Sequence, residues 1–589
     1  MSPTKAWLRA LELTASIGKD PSRILPVVIE QLGEEFGDAP ALLSDQVVLT
    51  YRALAQRTNQ YARWGLGQEI VKGQNVCLLM PNRPEYIAIW LGITRIGGIV
   101  SLLNTNLTGA SLAHCINIVE PKHIIVAAEL MDAFATARPR VTAICKVWSY
   151  GDAGAHYPRI DSAVDECSNE RLAAADSPQL TLKDLALYIY TSGTTGFPKA
   201  AKVSHHRLMN WSYWFAGMMD TQSNDRMYDC LPMYHSVGGV VAIGAVLVNG
   251  GSVVVREKFS ASQFWDDIKH WDCTLFQYIG ELCRYLVQAP HRAHEADHRI
   301  RLCCGNGLRP DVWDKFKNRF RVPQILEFYA STEGNVSLYN CEGKSGAIGR
   351  IPSFLAHRFP IALVKFDAEN ERPFRDEQSF CVRCAANEIG EAIGKVPDDL
   401  NRLGENFEGY TSKEESAKKI LRNVFKRGDA WYRTGDLMRK DDSGYFYFVD
   451  RIGDTFRWKG ENVATSEVAD AITAFPGITE AIVYGVTIPG MDGRAGMATL
   501  VVNSGFKFGE FRRHLVASLP LYACPVFVRI CNKIEITATF KYMKNALIRD
   551  GYDPAGTADP IYFNDTKKEA FVAVDDALYE RIQNKKQKI

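Results

Sequence analysis

The chain has 589 residues, of which 46% are hydrophobic and 23% charged. This composition excludes a small module and a disordered or collagen-like chain, and the length predicts at least two domains. Because 69 Lys and Arg balance 68 Asp and Glu to a net charge of +1, no global basic field exists to gather nucleic acid. Any bound anion must therefore be held by a local site.

Short apolar runs alternate with helical patterns from the N-terminus onward. Residues 75–80 and 123–127 are typical of buried strands, and residues 84–93 lie between them as a helix. We therefore predict an α/β fold, with a large multi-subdomain domain over residues 1–450 and largely parallel strands. Residues 412–427 have the charged pattern of a solvated helix. Residues 451–589, with apolar runs at 480–486 and 497–502, predict a small α+β domain.

Membrane attachment has little support in the sequence. Residues 86–103 are interrupted by Arg95 and two glycines, and residues 240–255 are better interpreted as a buried helix, a turn and a strand. The N-terminal segment lacks the apolar core of a secretory signal. Its side chains Trp7, Leu8, Leu11 and Leu13 form a short amphipathic face. We expect a cytoplasmic protein, with peripheral contact at the inner face of the cell membrane left open beside a solvated end.

Cysteine spacing does not indicate a metal centre. The chain has 14 cysteines, and its one Cys-x-x-Cys pair, Cys381 and Cys384, lacks a second pair of metal ligands nearby. The cysteines are scattered rather than framed at short spacings, so a reducing compartment is expected.

The strongest local signal is a Gly- and Thr-rich loop that follows an apolar strand at residues 185–190. Glycines expose backbone N–H groups, while hydroxyl groups and one lysine add donors and a positive charge, which together suit the phosphates of a nucleotide. The loop is not a Walker A motif, because Pro198 and Ala200 stand where Gly and Ser or Thr are required. No GxGxxG occurs. The phosphate-binding candidates are Thr191, Ser192, Gly193, Thr194, Thr195, Gly196 and Lys199.

Four more segments follow in a fixed order. They are YASTEG at residues 329–334, YRTGD at 432–436, DR at 450–451 leading to WKGEN at 458–462, and TFK at 539–541. With the loop, this series resembles the adenylate-forming superfamily of acyl-CoA synthetases, luciferases and adenylation domains. The resemblance implies an enzyme that uses ATP, Mg²⁺ and coenzyme A.

The resemblance also implies roles for individual residues in binding ATP. Glu333 and Thr195 would hold Mg²⁺, and Thr332 would contact the α-phosphate. Asp436 and Arg451 would bind the ribose, although each alone is also typical of a turn or a surface ion pair. The remaining implied nucleotide contacts are Gly305, Asn306, Gly307, Tyr329, Ala330 and Ser331.

Two half-reactions are implied for one site. Lys541 would bridge the carboxylate and the phosphate during adenylation, a role that suits a compact ammonium on a long stem. The C-terminal domain would then rotate and bring Lys459 and Gly460 to line the pantetheine tunnel. Gly453 is the candidate hinge of that rotation, since glycine tolerates large φ/ψ changes; an ordinary turn is the alternative.

The acyl substrate is indicated by residues 231–239, LPMYHSVGG. They match the aromatic gate of the superfamily, with His235 at the gate position, and they contain no carboxylate to pair an amine. Residues 274–285 and 305–313 look like the branch of fatty acid transport proteins and very-long-chain acyl-CoA synthetases. Val237, Gly238, Ile279 and Gly280 fit either an acyl tunnel or ordinary core, so chain length stays open.

The resulting hypothesis is a long-chain or very-long-chain fatty acid:CoA ligase in which Lys541, Thr332, Glu333 and His235 act in catalysis. Two alternatives remain. One is an acyl-AMP ligase that loads a carrier protein, although no carrier domain follows Lys541. The other is a fatty-acid uptake or binding partner without catalysis.

Overall fold

The computed structural model describes residues 2–191, 197–367, 371–397, 407–459, 461–491, 493–535, 543–587 and 589. The chain forms two compact units. The first comprises residues 1–360, 394–422 and 428–432, and the second comprises residues 361–393, 423–427 and 433–589. The predicted boundary after residue 450 stays a prediction, since this division follows contacts rather than chain order.

The first unit contains two large sheets. The strands of the eight-stranded sheet lie in the spatial order Ser337–Asn340, Ile325–Ala330, Leu302–Asn306, Leu275–Ile279, Arg226–Asp229, Ser252–Val255, Pro40–Leu43 and Val48–Thr50. The strands of the six-stranded sheet lie in the order Lys146–Tyr150, His123–Ala127, Asn75–Leu79, Ile99–Leu102, Leu185–Thr191 and Lys199–Ser204. Inner neighbours pair in parallel, and the antiparallel pairs lie at the edges. The predicted parallel α/β architecture is confirmed.

Helices cover the faces of these sheets. Those of the first unit are Pro3–Ala15, Leu25–Phe36, Tyr51–Gly67, Pro84–Arg95, Gly109–Asn117, Met131–Ala137, Ile160–Asp165, His205–Met219, Ala242–Leu247, Phe264–His270, Gly280–Gln288, Pro310–Arg319 and Lys413–Lys418. A π-helical turn, Val237–Val241, precedes Ala242–Leu247. Thr50 and Ser204 each accept a backbone N–H at the start of the helix that follows, which explains why these two helices begin there.

The N-terminal helix packs inside the first unit. Trp7 is 2% exposed and its ring makes edge-on contacts with Trp214, Tyr339 and Phe359. Leu8 remains 44% exposed. Of the four residues of the predicted amphipathic face, Trp7 is buried in this packing and Leu11 and Leu13 are half-buried.

The two apolar stretches considered for the membrane resolve into helices and strands. Residues 86–103 contain most of helix Pro84–Arg95 and all of strand Ile99–Leu102. Residues 240–255 contain helix Ala242–Leu247 and strand Ser252–Val255. Across the described part of the chain, no helix has the length and apolar character needed to cross a bilayer.

The second unit is built mainly of antiparallel strands. A five-stranded sheet has the order Ile478–Val486, Ala495–Val502, Phe527–Cys531, Ile561–Asp565 and Ala570–Ala573. The helices are Thr465–Thr473, Phe508–Ser518, Lys544–Asp550 and Asp576–Gln583. Phe511, Leu515 and Phe527 lie in its fully buried core. The predicted small mixed domain is thus present as a packed body with its own apolar core.

The remaining strands are shorter or link segments distant in sequence. They are Gly349–Arg350, Ile361–Asp367, Arg372–Pro373, Ile389–Lys395, Ile420–Arg422, Ala430–Lys440, Tyr445–Arg451, Phe456–Trp458 and Glu461–Val463. The solvated helix predicted over residues 412–427 is wrong beyond Lys418. Ile420–Arg422 instead pairs with the start of Ala430–Lys440, because two neighbouring apolar residues there gain a sheet partner.

Candidate active site

A hairpin positions the predicted phosphate loop. Strand Leu185–Thr191 runs antiparallel to strand Lys199–Ser204, with Thr191 opposite Lys199 in the register. Seven residues connect these strands, and the first five, Ser192, Gly193, Thr194, Thr195 and Gly196, lie outside the described residues. The two residues that flank the loop are thus brought side by side, both half-buried.

A buried arginine supports the loop that carries Thr332 and Glu333. Arg207 lies in the first turn of helix His205–Met219 and donates to the carbonyl oxygens of Thr332 (2.6 Å) and Gly334 (3.1 Å). The Thr332 hydroxyl lies 3.2 Å from that of Ser236, the neighbour of His235. The α-phosphate candidate and the gate segment are therefore adjacent, and their roles stay predictions.

Glu333 is buried and its carboxylate is held on one side. The Tyr410 hydroxyl donates to Glu333 Oε1 at 2.6 Å, and the Tyr432 hydroxyl approaches the same oxygen at 3.4 Å. Burial, followed by the charge of Glu333, raises the pKa of Tyr410, so this phenol stays a neutral donor. Among the described residues none donates to Glu333 Oε2, which leaves that oxygen to another ligand.

The donor set around Glu333 fits Mg²⁺. This cation prefers oxygen ligands and keeps several waters, so proteins commonly supply one or two carboxylates and the substrate phosphates supply the rest. Within the described ranges no group of three or more His, Cys, Asp or Glu side chains could hold a metal. A single fixed carboxylate suits a metal whose other ligands would come from substrate phosphates and water.

One segment, residues 407–418, contacts three elements of this site. Tyr410 bonds Glu333, as described above. Glu408 accepts from the Ser204 N–H (2.8 Å) and hydroxyl (2.7 Å) and lies 3.4 Å from Arg207 Nε. Glu415 forms an ion pair with Lys199. We call residues 407–418 the strap, because they tie the phosphate hairpin to the loop of Thr332 and Glu333.

Replacing Tyr410 by Phe should increase the Mg²⁺ concentration required for half-maximal activity by about 10-fold, since a residue that orients a metal ligand typically contributes 10- to 100-fold to affinity. Tyr432→Phe is the matched comparison and should have a smaller effect, because its hydroxyl contact with Glu333 is longer. The measurement is acid-dependent pyrophosphate release against Mg²⁺ at fixed ATP. An unchanged Mg²⁺ dependence in Tyr410→Phe would show that Tyr410 does not orient the carboxylate.

The segment predicted as the gate is tightly built around its glycines. His235 is half-buried and its ring lies 4.6 Å from that of Tyr234. A methyl group at Gly239 would come within 1.9 Å of the Met233 carbonyl oxygen, and one at Gly280 within 1.8 Å of that of Gly307. Close backbone approach therefore requires these glycines, and Gly280 is no evidence for an acyl tunnel.

The predicted contacts Gly305, Asn306 and Gly307 lie at the end of strand Leu302–Asn306. Glu327, on the adjacent strand Ile325–Ala330, accepts from the Leu308 N–H at 3.0 Å and from the Tyr278 hydroxyl. Burial raises the pKa of Glu327 to about 8. Tyr329, Ala330 and Ser331 continue from the same strand, so Glu327 connects the two predicted nucleotide segments.

In the second unit, the predicted ribose pair is brought together. Asp436 and Arg451 are directly opposite in the antiparallel strands Ala430–Lys440 and Tyr445–Arg451, with 3.8 Å between Arg451 Nε and Asp436 Oδ1. Thr434 fixes the backbone next to Asp436, since its hydroxyl donates to the Ala392 carbonyl (2.7 Å) and accepts from the Asp436 N–H (3.1 Å). The ribose role of the pair stays a prediction.

The region of the predicted hinge contains a buried carboxylate that sequence reasoning did not assign. Asp450 accepts from the Thr465 N–H and hydroxyl, at 2.5 and 3.0 Å, and burial raises its pKa. Gly453 has φ of +97° and open space around its Cα. This conformation explains the glycine as a turn residue, and its role as a hinge stays a prediction.

Lys459 lies in the second unit, where its Nζ is 3.3 Å from the Ile589 carbonyl oxygen. Gly460 and Lys541 lie outside the described residues. The roles assigned to these three residues therefore stay predictions.

Comparison with known families gives two matches along the chain. A family model described as AMP-binding enzyme matches residues 29–373, and one described as AMP-binding enzyme C-terminal domain matches residues 467–541. The first alone spans more than half of the chain. Together they repeat the order of a large domain followed by a small one.

Similar proteins include two from mouse. Long-chain fatty acid transport protein 6 is 40% identical over 92% of this chain and 87% of its own length. Long-chain fatty acid transport protein 1 is 38% identical over 95% of this chain and 87% of its own length. Among solved structures, the ATP-bound MatB of Rhodopseudomonas palustris has a TM-score of 0.74 at 22% identity, covering 89% of this chain and 98% of that one. This structural likeness supports the fold.

Proposed function

Because the chain belongs to the AMP-binding enzymes of the adenylate-forming superfamily, in the branch of the long-chain fatty acid transport proteins, we propose that it is a long-chain or very-long-chain fatty acid:CoA ligase. An oxygen of the acid would attack the α-phosphorus of ATP, forming acyl-AMP and releasing pyrophosphate. The sulfur of CoA would then attack the acyl carbon, forming the thioester and releasing AMP.

The observation that carries this proposal is the cluster built around the strap. Lys199 lies on the phosphate hairpin, and Thr332 and Glu333 are neighbours in a second segment. Tyr410 contacts both segments, with Lys199 Nζ 5.7 Å from its ring centroid and its hydroxyl donating to Glu333. Such a cluster combines a cation, a hydroxyl group and a fixed carboxylate. Bringing a carboxylate anion to a phosphate requires this kind of preorganised positive charge and geometry.

Each residue then has a defined task. Lys199 would neutralise phosphate charge, and Thr332, held through its carbonyl by Arg207, would donate to a phosphate oxygen. Glu333 would hold Mg²⁺ through Oε2, and the bound cation would supply charge neutralisation for the triphosphate. His235, half-buried beside Ser236, would border the carboxylate of the acid.

The cellular setting is part of the proposal. All 14 cysteines are free, which fits a reducing compartment such as the cytoplasm.

The test is pyrophosphate release over acids of two to twenty-four carbons and a bile acid, with and without CoA. We expect acid-dependent release that is strongest for long chains, and formation of acyl-CoA and AMP in equal amounts when CoA is present. No acid-dependent release with any acid would favour a binding protein without catalysis. Pyrophosphate release followed by acyl transfer only to a phosphopantetheine carrier would favour the acyl-AMP ligase.

A further inference from the structure

Lys199, the one cation assigned to the phosphate loop, is engaged by a carboxylate of the strap. Its Nζ forms an ion pair with Glu415 Oε2 of the strap, and the two side chains are 30% and 25% exposed. Glu415 also pairs with Lys418, one helical turn further along Lys413–Lys418, at 2.6 Å. The Glu415 carboxylate therefore has two cationic partners, the half-buried Lys199 and the exposed Lys418.

We propose that Glu415 is a displaceable counter-ion of Lys199, which the polyphosphate of the nucleotide must replace before Lys199 can bind it. The proposal rests on the proposed function, because it takes Lys199 as a phosphate ligand. It adds a specificity-determining residue on the strap, outside the five motifs that carry the family resemblance.

The charges around Glu415 favour its release from Lys199 when a nucleotide binds, rather than a permanent ion pair. If Glu415 stayed against Lys199 in the complex, its carboxylate would face the negative oxygens of the triphosphate, and like charges at such distances repel. Lys418 offers the alternative partner, since it already contacts Glu415 Oε1 and its side chain is 70% exposed. Rotation of one side chain therefore frees Lys199 without leaving the carboxylate unpaired.

The exchange does not depend on protonation. The hydrogen bonds from Lys199 and then Lys418 lower the pKa of Glu415 to about 2, so the carboxylate is charged throughout the physiological range. The competitor that removes it from Lys199 must be another anion. A polyphosphate competes better than a monophosphate, because it brings several charges to the loop.

Two contacts hold the Lys199 ammonium near the loop where the polyphosphate would bind. Lys199 lies opposite Thr191 at the base of the loop, and its Nζ lies 5.7 Å from the centroid of the Tyr410 ring. Counter-ion and aromatic ring thus keep the ammonium at the loop. The expected cost is a weaker binding of ATP than an unpaired lysine would give.

The experiment measures the affinity of the purified full chain for a non-hydrolysable ATP analogue and for AMP by calorimetry. Glu415→Gln should lower the Kd of the analogue by about two- to five-fold, the range that exposed ion pairs contribute, and should change the Kd of AMP less. Lys418→Gln should have the opposite sign and raise the Kd of the analogue, since Glu415 then has no second partner.

Glu414→Gln is the matched control. Glu414 is the exposed neighbour of Glu415 on the same helix, and its replacement changes the net charge equally without removing the ion pair with Lys199. It should leave the analogue Kd within about two-fold of the wild type. Thermal unfolding of each variant checks that the strap still folds.

The outcomes separate this inference from the proposed function. A wild-type chain that binds no ATP analogue would contradict the proposed function itself. A wild-type chain that binds the analogue, with Glu415→Gln binding it equally or more weakly, would overturn the counter-ion role alone and make Glu415 a bystander or a residue that positions Lys199.

Discussion

Replacing Glu333 by Gln should lower the rate of acid-dependent pyrophosphate release by about 10²–10³-fold, the loss typical when one electrostatic contact to the reacting group is removed. Gln has nearly the same shape but lacks the negative charge of the oxygen proposed to bind Mg²⁺. The Tyr410 hydrogen bond to Oε1 can persist, because an amide oxygen also accepts. The loss should therefore reflect charge rather than misfolding.

The readouts for Glu333→Gln are pyrophosphate release across a Mg²⁺ series and the thermal unfolding midpoint. A midpoint close to that of the wild type together with the large rate loss is expected. Glu333→Asp keeps the charge on a shorter side chain and should retain more activity than the glutamine variant at high Mg²⁺. Full activity in Glu333→Gln would remove Glu333 from the metal site.

Replacing Lys541 by Ala should separate the two half-reactions. We expect acid-dependent pyrophosphate release to fall by about 10²–10³-fold, because the ammonium that would bridge carboxylate and phosphate is lost while charge builds up on phosphorus. Conversion of preformed acyl-AMP and CoA to acyl-CoA should change by less than about 10-fold, since that step has no pentavalent phosphorus to stabilise.

Single-turnover measurements of each half-reaction provide the test for Lys541. Lys533→Ala is the control, because this exposed lysine lies eight positions upstream in the chain and carries the same charge. It should leave both rates near those of the wild type. Equal rate losses in the two half-reactions of Lys541→Ala would contradict the assignment of Lys541 to adenylation alone.

Much of the fold was predictable because its signals are local. The apolar runs at residues 75–80 and 123–127 and the helix between them appear as predicted, since a buried parallel strand requires a continuous apolar run. The strand before the Gly- and Thr-rich loop was predictable from its apolar run, whereas the antiparallel strand Lys199–Ser204 that completes the hairpin was not predicted. Ser412 caps a helix, but that helix stops at Lys418, because Ile420–Arg422 pairs antiparallel with the strand that begins at Ala430.

The contacts that organise the candidate site were not predictable from motifs. Arg207, Glu408 and Tyr410 reach their partners from more than seventy residues away in sequence, and nothing local in the sequence indicates those pairings. Glu327 offered one usable signal. A carboxylate inside the apolar strand Ile325–Ala330 must be buried with hydrogen-bond partners, which could have been sought near it.

The strap imposes a length requirement as well as a chemical one. Glu408, Tyr410 and Glu415 meet three separate partners from fixed positions along a single stretch of backbone, which is itself registered against strand Lys199–Ser204 by hydrogen bonds at Lys202 and Thr411. Deleting or inserting one residue between Tyr410 and Glu415 would move one set of contacts out of register while leaving the other in place. In a chimaera with a related protein, residues 407–418 should therefore be exchanged together with the hairpin at 185–204, so that the contacts between them are kept.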